Sequence, residues 1–185
     1  MNHEYVLNLG CGGRKSDKHI WFGDVRFDIK KFPNVTHVGD AHNLPFKNKI
    51  FSLVVCYVTF EHLHSPYKAL CEMIRVLQDD GKIMIVIPNL YHWRRIYKNY
   101  KCRIDLINKS DPNKLPTHNQ AWDLIAIRNL VRRLGLVLFS VSYVDWIEEF
   151  VPNKTFKHKI MNWILPSLFT KTEVRYILCK EMKRS

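Results

Sequence analysis

Short apolar runs separated by glycine, aspartate and polar turns make up the first half of the chain. The run at residues 5–9 stops at Gly10, which predicts a buried strand followed by a glycine turn. The run at residues 51–58 is apolar on both faces and rich in β-branched residues, as central parallel strands are. The remaining predicted strands cover residues 25–27, 36–38, 83–87, 137–144 and 174–180.

Two other segments carry apolar residues at helical spacing. The first begins at Ser65-Pro66, because serine caps helices and proline suits the first helical position. Its expected apolar face consists of Tyr67, Leu70, Met73, Ile74 and Leu77. The second spans residues 119–134 and is followed by Gly135, which suits a left-handed C-terminal cap. Strands that alternate with helices in this way indicate a doubly wound α/β sheet.

Composition indicates one globular domain over residues 1–185. Apolar residues make up 46% and charged residues 25%, which excludes a disordered or low-complexity chain. The 5 cysteines include no Cys-x-x-Cys pair and predict neither a disulfide framework nor a zinc site. No apolar run approaches the roughly 20 residues that cross a bilayer, and the first residues lack signal-peptide features. We therefore expect a cytoplasmic protein.

Positive charge is concentrated in the second half of the chain. Residues 1–90 hold 11 basic and 9 acidic residues, whereas residues 91–185 hold 18 and 8. Such a field favours anionic partners, such as RNA, an acidic lipid surface or a phosphorylated small molecule. Lysines that only keep a small domain soluble explain the excess equally well.

Glycine and acidic residues stand where the predicted strands end. In a doubly wound sheet, ligands bind outside the carboxyl ends of the strands. There Asp28 can accept the hydroxyl protons of a ribose, and Asp40 can pair with an exocyclic amine such as that of adenine. The glycine turn is not Gly-x-Gly-x-x-Gly and no phosphate loop occurs, so a pyrophosphate ligand is not expected. Two carboxylates suit a nucleoside without phosphates, above all one with a positive charge.

Several short motifs occur in a fixed order. They are Leu7-Asn8-Leu9-Gly10-Cys11-Gly12, Phe27-Asp28, Gly39-Asp40-Ala41, Leu44-Pro45-Phe46, Phe60-Glu61-His62-Leu63, Arg75-Val76-Leu77 and Ile87-Pro88-Asn89. In this order and spacing the chain resembles the class I S-adenosylmethionine-dependent methyltransferases, specifically the type 11 methyltransferase domain family. The resemblance implies a Rossmann-like, mostly parallel seven-stranded sheet with helices on both faces and a C-terminal antiparallel strand.

The resemblance also implies S-adenosyl-L-methionine as the cofactor and a role for each site position. Gly10, Cys11 and Gly12 would pass under its methionine part, Asp28 would hold the ribose, Asp40 and the Ala41 backbone would bind the adenine, and Cys56 and Tyr57 would flank the sulfonium. Because little room remains for a helix after the glycine turn, Arg14 or Lys15 would bind the methionine carboxylate.

A hydroxyl or amine acceptor must lose a proton, which calls for a nearby base. His62 follows the fourth strand and is the first candidate; the alternative is that Glu61 and His62 fix this loop by hydrogen bonds. His92 and His118 are further candidates for the base. A metal site at Glu61-His62-x-His64 is not expected, because no further ligand cluster supports it.

Two insertions on the substrate side, at about 90–118 and 150–170, remain for the acceptor. The first interleaves basic and aromatic residues, which suits either a packed amphipathic helix or a nucleic-acid surface. The second is apolar and basic, and suits a buried lid, a dimer contact or a peripheral membrane contact. We expect methyl transfer to an oxygen or nitrogen of a small or glycan-like acceptor, which could be anionic. The alternatives are an RNA or other macromolecular methyltransferase and a non-catalytic cofactor-binding subunit.

Overall fold

The computed structural model describes residues 5–12, 22–92, 122–144 and 173–181. Its strands are β1 (Val6–Leu9), β2 (Val25–Asp28), β3 (His37–Val38), β4 (Phe51–Tyr57), β5 (Leu77–Pro88), β6 (Leu136–Val144) and β7 (Glu173–Lys180). The α-helices in these residues are α1 (Pro66–Val76) and α2 (Leu124–Arg133), and a short 3-10 helix covers Phe60–His62.

The strands form one seven-stranded sheet in the order β3-β2-β1-β4-β5-β7-β6. Neighbouring strands from β3 to β5 are parallel, whereas β7 runs antiparallel to both β5 and β6. The predicted mostly parallel sheet with an antiparallel C-terminal strand is confirmed. Strand order reverses between β1 and β4, and the crevice at their carboxyl ends is where such sheets bind ligands.

One face of the sheet carries the main hydrophobic core. A row of side chains crosses this face in register through Leu9, Cys56, Ile85 and Tyr176, each at most 1% exposed. Helices α1 and α2 contribute to the same core through Leu70, Met73, Ile127 and Val131. Of the helices predicted on both faces of the sheet, the two that the structure describes pack on this face. Because side chains alternate along a strand, Tyr57 points to the opposite face from Cys56.

Helix α1 begins where the sequence predicts, but its buried face differs. Ser65 is the N-cap residue and Pro66 the first helical residue, yet the Ser65 side chain makes no capping hydrogen bond. The buried positions of the helix are Pro66, Ala69, Leu70, Met73 and Val76. This row turns Tyr67 to the outer edge of the helix, where it is 52% exposed. The prediction that Tyr67 belongs to the apolar face is therefore wrong.

Strand β5 begins six residues earlier than the predicted start at residue 83, because Leu77 directly follows α1 and pairs with Phe51 of β4. Gly81 therefore lies inside the strand. A Cβ atom there would lie 2.8 Å from the Leu77 side chain and 3.0 Å from the Ser52 carbonyl oxygen. Close packing between the two strands thus explains this glycine.

Helix α2 is capped at both ends. Ala126 N donates to the Asp123 carboxylate at 2.7 Å, and Gly135 follows the helix with φ +66°. The predicted left-handed cap at Gly135 is confirmed. The helix begins at Leu124, later than the predicted start at residue 119, because Asp123 is its N-cap residue. Arg14, Lys15, His118 and most of the two insertions lie outside the described residues. Of the helices that the structure describes, none is long and apolar enough to cross a membrane.

Candidate functional site

The glycine turn after β1 packs against the end of β4, across the point where strand order reverses. Gly10 has φ +70°, and its N–H donates to the Phe27 carbonyl at 2.8 Å. A Cβ atom at Gly10 would lie 2.1 Å from Thr59 Oγ1. The Thr59 hydroxyl donates to the Tyr57 carbonyl at 3.0 Å and lies 3.3 Å from the Gly10 carbonyl. Gly10 is therefore required both by its backbone conformation and by the close approach of Thr59.

Val58, the residue that follows β4, has an unusual backbone conformation. Its φ is +46°, a conformation that is strained for a β-branched residue. The Val58 N–H donates to the Val86 carbonyl at 2.8 Å, which holds the backbone in this conformation. The strained residue stands directly between Tyr57 and Thr59, so it sets how β4 meets the glycine turn. Strain of this kind is often found at binding sites.

Asp28 is buried at the end of β2 and is fixed by backbone N–H groups. Its Oδ2 accepts from Gly12 N at 2.9 Å, and its Oδ1 accepts from Lys30 N at 3.0 Å. Each carboxylate oxygen has a second lone pair for a further hydrogen bond. Asp28 therefore links the glycine turn to β2 and keeps acceptor capacity for two ligand hydroxyls.

Cys11 contributes its backbone to the turn, because its side chain is fully buried. Burial, followed by the nearby charge of Asp28, raises the pKa of the Cys11 thiol to about 11. Asn34 Nδ2 donates to the Gly12 carbonyl at 2.9 Å and lies 3.7 Å from Cys11 Sγ. Asn34 was missed in the sequence, since nothing in a loop asparagine signals a contact with a turn 22 residues away. It braces the turn from the side of β3.

Asp40 is held by the residue two positions further along the chain. Asp40 Oδ1 accepts hydrogen bonds from both the backbone N and the ring Nδ1 of His42. The backbone hydrogen bond and then the ring hydrogen bond lower the pKa of the Asp40 carboxyl. Asp40 Oδ2 takes part in neither contact and is the oxygen available to an exocyclic amine. The sequence identified Asp40 but not its partner.

His42 connects Asp40 to the start of α1. Ser65 N donates to His42 Nε2 at 3.2 Å, so Nδ1 carries the proton that Asp40 accepts. The His64 ring lies over the His42 ring with a centroid distance of 3.8 Å. The N-terminal residue of the helix is therefore tied to the loop after β3 through a buried imidazole. Ala41, the other predicted adenine contact, is partly buried against the core.

The comparisons with known proteins agree with this geometry. The family profile described as a methyltransferase domain matches residues 20–85. A crystal structure of a SAM-dependent methyltransferase from Thermotoga maritima matches with a TM-score of 0.67 at 14% identity, over 98% of this chain and 84% of that chain. The chain has the fold of the class I methyltransferases, and its residues 20–85 match the methyltransferase domain family.

A second solved structure shares this methyltransferase fold. It is a complex of the Haloferax volcanii Trm112 methyltransferase activator with a methyltransferase, and it matches with a TM-score of 0.61 and 14% identity, over 100% of this chain and 86% of that chain. At such low identity, the likeness to either solved structure shows the fold alone.

Two curated relatives match parts of this chain. The uncharacterized protein MJ1252 of Methanocaldococcus jannaschii is 32% identical over 161 residues, which are 76% of this chain and 63% of that protein. A demethylmenaquinone methyltransferase of Renibacterium salmoninarum is 29% identical over 97 residues, which are 49% of this chain and 41% of that protein. The chain thus spans less than two thirds of the length of either relative.

Cys56 and Tyr57 end β4 with different environments. The Cys56 side chain is fully buried in the core, and burial raises the pKa of its thiol. Only the Cys56 backbone is therefore placed to face a ligand at the end of β4. Tyr57 Oη donates to Glu173 Oε2 at 2.6 Å, so the first residue of β7 brings a buried carboxylate to the same rim. The sequence identified Tyr57 and missed Glu173.

The predicted base His62 lies in the 3-10 helix that follows Thr59. Its side chain is 43% exposed, and Nε2 lies 3.9 Å from Oε1 of the buried Glu61. This geometry is compatible with both roles considered for the pair, a proton acceptor or a loop brace. His92, the second candidate, is buried beside the turn at Asn89. Among the residues that the structure describes, no group of His, Cys, Asp or Glu side chains could hold a metal ion.

The described site residues fit an adenosyl ligand. Asp28 and Asp40 follow adjacent strands and offer carboxylate oxygens, which suit hydroxyl and amine donors. The glycine turn contacts Asp28 on one side and Thr59, after β4, on the other. The roles that the sequence assigns to the site residues remain predictions. The predicted catalytic residue is His62. The predicted cofactor-binding residues are Gly10, Cys11, Gly12, Asp28, Asp40, Ala41, Cys56 and Tyr57.

Proposed function

We propose that this domain transfers the methyl group of S-adenosylmethionine to an oxygen or nitrogen of a small or glycan-like acceptor. The observation that carries the proposal is the pair of carboxylates, Asp28 and Asp40, at the carboxyl ends of adjacent strands beside the glycine turn. The family profile and the matched stretch of a curated demethylmenaquinone methyltransferase support the reaction class.

Each residue of the site has a defined part in this proposal. Asp28 accepts hydrogen bonds from the ribose hydroxyls, and Asp40 accepts one from the adenine amine through the oxygen that His42 does not use. Gly10 and Gly12 let the backbone approach the methionine part without a side chain in between. The two insertions at about 90–118 and 150–170 form the acceptor side of a single domain over residues 1–185.

The main contribution of the protein to this reaction is to position the methyl donor and the acceptor. Bound S-adenosylmethionine supplies a methyl group that the adjacent sulfonium charge has already activated. The acceptor atom uses a lone pair to form the new bond to carbon, while the carbon–sulfur bond breaks and its electron pair stays on sulfur. Correct alignment of reactants contributes on the order of 7 to 11 kcal/mol to such reactions. His62 takes the proton that the acceptor loses, and no metal is part of the proposal.

A macromolecular acceptor is a second candidate because of the charge distribution. Residues 91–185 hold 18 basic and 8 acidic residues, a surplus that suits RNA. A protein partner is a third possibility for the way the domain works, since a solved methyltransferase of this fold is bound to a Trm112 activator. In that case, the domain would bind the methyl donor and require a small activating subunit.

Donor binding tests the proposal directly. The full chain is titrated calorimetrically with S-adenosylmethionine and with S-adenosylhomocysteine, and its melting temperature is recorded with each compound. Ligand at 100 times its dissociation constant should stabilise the protein by about 2.7 kcal/mol. An absence of heat and of any thermal shift with both compounds would contradict the proposal.

Turnover with a panel of acceptors then tests the second half of the proposal. His62→Ala should lower turnover by about 100-fold and leave the donor dissociation constant nearly unchanged, because a base acts on the acceptor. His37→Ala, which removes an exposed histidine of β3, is the matched control. Full activity of His62→Ala would make His62 a loop-bracing residue. Tight donor binding without turnover would favour the cofactor-binding subunit.

A further inference from the structure

The backbone that leads into Asp40 is fixed beside Asp28 at the carboxyl rim of the sheet. Val38 of β3 pairs with Asp28 of β2, and Gly39 N donates to the Asp28 carbonyl at 3.0 Å. A Cβ atom at Gly39 would lie 2.7 Å from the Phe27 ring, so the chain passes tightly over this ring. Asp40 therefore follows at a set distance from the residue whose carboxylate binds the glycine turn.

His42 fixes the direction of the Asp40 side chain. Its backbone N–H and its ring Nδ1 both donate to Asp40 Oδ1. Two donors on one oxygen oppose a rotation that would exchange the two carboxylate oxygens, so Oδ2 stays the oxygen that can accept from a ligand. The His42 side chain is 5% exposed, whereas that of Asp40 is 52% exposed. The histidine is thus a buried anchor, and the carboxylate is the accessible group.

The His42 ring is itself held by residues at the start of α1. Ser65 N donates to Nε2 at 3.2 Å, so Nε2 carries no proton and Nδ1 is the donor. The His64 ring lies over the His42 ring at a centroid distance of 3.8 Å. These contacts keep the imidazole as a donor toward Asp40. A ligand therefore meets an acceptor oxygen that needs no further ordering on binding.

A fixed carboxylate distinguishes purine bases by the group at one ring position. An ionised carboxylate accepts hydrogen bonds and donates none. The hydrogen bonds from His42, the backbone one first and the ring one second, lower the pKa of the Asp40 carboxyl and so keep it ionised. Adenine carries an amine donor where hypoxanthine carries a carbonyl oxygen. A carboxylate oxygen that cannot turn away attracts the amine and repels the carbonyl oxygen.

We propose that His42 makes the donor site selective for adenine by locking the orientation of the Asp40 carboxylate. This inference rests on the proposed function, in which Asp40 binds the adenine amine. Asp40 is the residue that contacts the donor, and His42 is a positioning residue that acts through it. Compounds in which a carbonyl oxygen replaces the amine are rejected, because the locked carboxylate oxygen then faces a second acceptor.

The test compares two ligands that differ at this position of the base, S-adenosylhomocysteine and S-inosylhomocysteine. Calorimetric titration of the full chain gives both dissociation constants, and their ratio is the adenine preference. The wild type should bind the adenine compound at least about 10-fold more tightly. Equal affinity for the two compounds would overturn this inference and leave donor binding intact. If the wild type binds neither compound, the proposed function itself fails.

Two variants of His42 separate the contributions of its two ring nitrogens. His42→Asn brings an amide nitrogen close to the place of Nδ1, so it keeps a donor for Asp40 and loses the acceptor for Ser65. His42→Gln brings an amide oxygen close to the place of Nε2, so it keeps the acceptor and loses the donor. We expect His42→Gln to lower the adenine preference by about 10-fold and His42→Asn to retain it. A merely structural role would not separate the two variants in this way.

His37→Gln is the matched control, because His37 is an exposed histidine of β3, and it should leave the adenine preference unchanged. Equal preferences in the two His42 variants, or a larger loss in His42→Asn, would overturn the inference.

Asp40→Asn provides a second test if either His42 variant fails to fold. Both His42 donors should hold the amide oxygen of this variant, which leaves its NH₂ group for the ligand. The adenine preference should then disappear, because two donors face each other. A preference that persists in Asp40→Asn would show that the side chain turns freely, and the proposed lock by His42 would be wrong.

Discussion

Asp28 is the single residue on which donor binding should depend most directly. Its carboxylate is oriented by Gly12 N and Lys30 N, so a ligand meets an acceptor that is already in place. Asp28→Ala should raise the dissociation constant of S-adenosylhomocysteine by the equivalent of about 1 to 3 kcal/mol. Calorimetric titration measures this change, with Asp80→Ala as the control at an exposed position of β5. An unchanged dissociation constant in Asp28→Ala would remove Asp28 from the site.

Two glycines separate the effect of backbone conformation from that of steric contact. Gly10 and Gly135 have nearly equal φ values of +70° and +66°. A Cβ atom at Gly135 meets nothing within 4 Å, whereas at Gly10 it would lie 2.1 Å from Thr59 Oγ1. Gly135→Ala should therefore cost about 1 kcal/mol of left-handed strain. Gly10→Ala should lower the free energy of unfolding by more, about 3 kcal/mol or above.

Chemical denaturation measures both glycine variants under the same conditions. Gly10→Ala should also weaken donor binding, because Thr59 and the end of β4 must move away from the turn. Equal losses of stability in the two variants would mean that the Thr59 side chain can move away without lowering the free energy of unfolding. Gly10 would then be required only because of its positive φ.

At the scale of elements, the sequence predicted what local patterns encode. The strands and the acidic ends at Asp28 and Asp40 were found because apolar runs and their polar stops lie within a few residues of each other. The early start of β5 was missed, because it depends on Leu77 pairing with Phe51 of another strand. Tyr67 was misplaced since hydrophobicity does not fix which side of a helix meets the sheet.

The site was predictable only in part for the same reason. Asn34, Thr59 and Glu173 reach the site through contacts that join distant parts of the chain. Such contacts follow from strand order and register, which cannot be inferred from a single sequence. His42 had a local signal, since aspartate often accepts from a residue two positions further on.

An ion pair on helix α1 holds the loop before β4 through the hydrogen bonds that its two side chains make to the loop backbone. Arg75 and Glu72 are 2.7 Å apart, and Arg75 also donates to the carbonyls of Leu44 and Phe46. Glu72 Oε2 in turn accepts from Leu44 N at 2.8 Å. The two motifs Leu44-Pro45-Phe46 and Arg75-Val76-Leu77 are therefore parts of one interaction. The loop that carries Asp40 and His42 leads directly into it.

This interaction predicts a pH dependence of stability. The Arg75 hydrogen bond lowers the pKa of Glu72 below its usual value in an unfolded chain. The folded state thus gains stability at pH values above the unfolded pKa, and this gain disappears as the pH falls through the folded pKa. Glu72→Gln should lower the free energy of unfolding at neutral pH by about 2 kcal/mol. The difference from the wild type should shrink below about pH 4.

Denaturant titrations at several pH values measure this dependence. Asp79→Asn is a useful control, because Asp79 is an exposed carboxylate paired with Lys49 and Lys180. Exposed ion pairs contribute little, so this variant should remain close to the wild type at neutral pH. A stability difference for Glu72→Gln that stays constant down to acid pH would show that the pair is not the source of the stabilisation.

At the scale of the whole molecule, the site is assembled from the ends of strands that different elements hold in place. Thr59 joins β4 to the glycine turn, and His42 joins Asp40 to the start of α1. Asp28 joins β2 to the same turn. A ligand that binds these residues therefore bridges β1, β2, β3 and β4, and should stabilise them as one unit.

The uneven charge of the chain leads to a prediction about its acceptor. Because residues 91–185 hold 18 basic and 8 acidic residues, a short single-stranded RNA should bind at low salt through charge alone. For a small-acceptor enzyme, this binding should be lost near about 150 mM salt and should not depend on RNA sequence. Fluorescence anisotropy across a salt series measures the affinity, and a radiolabelled donor reports methyl incorporation. Sequence-dependent binding at physiological salt together with methylated RNA would instead make RNA the acceptor, because counterion release alone gives neither result.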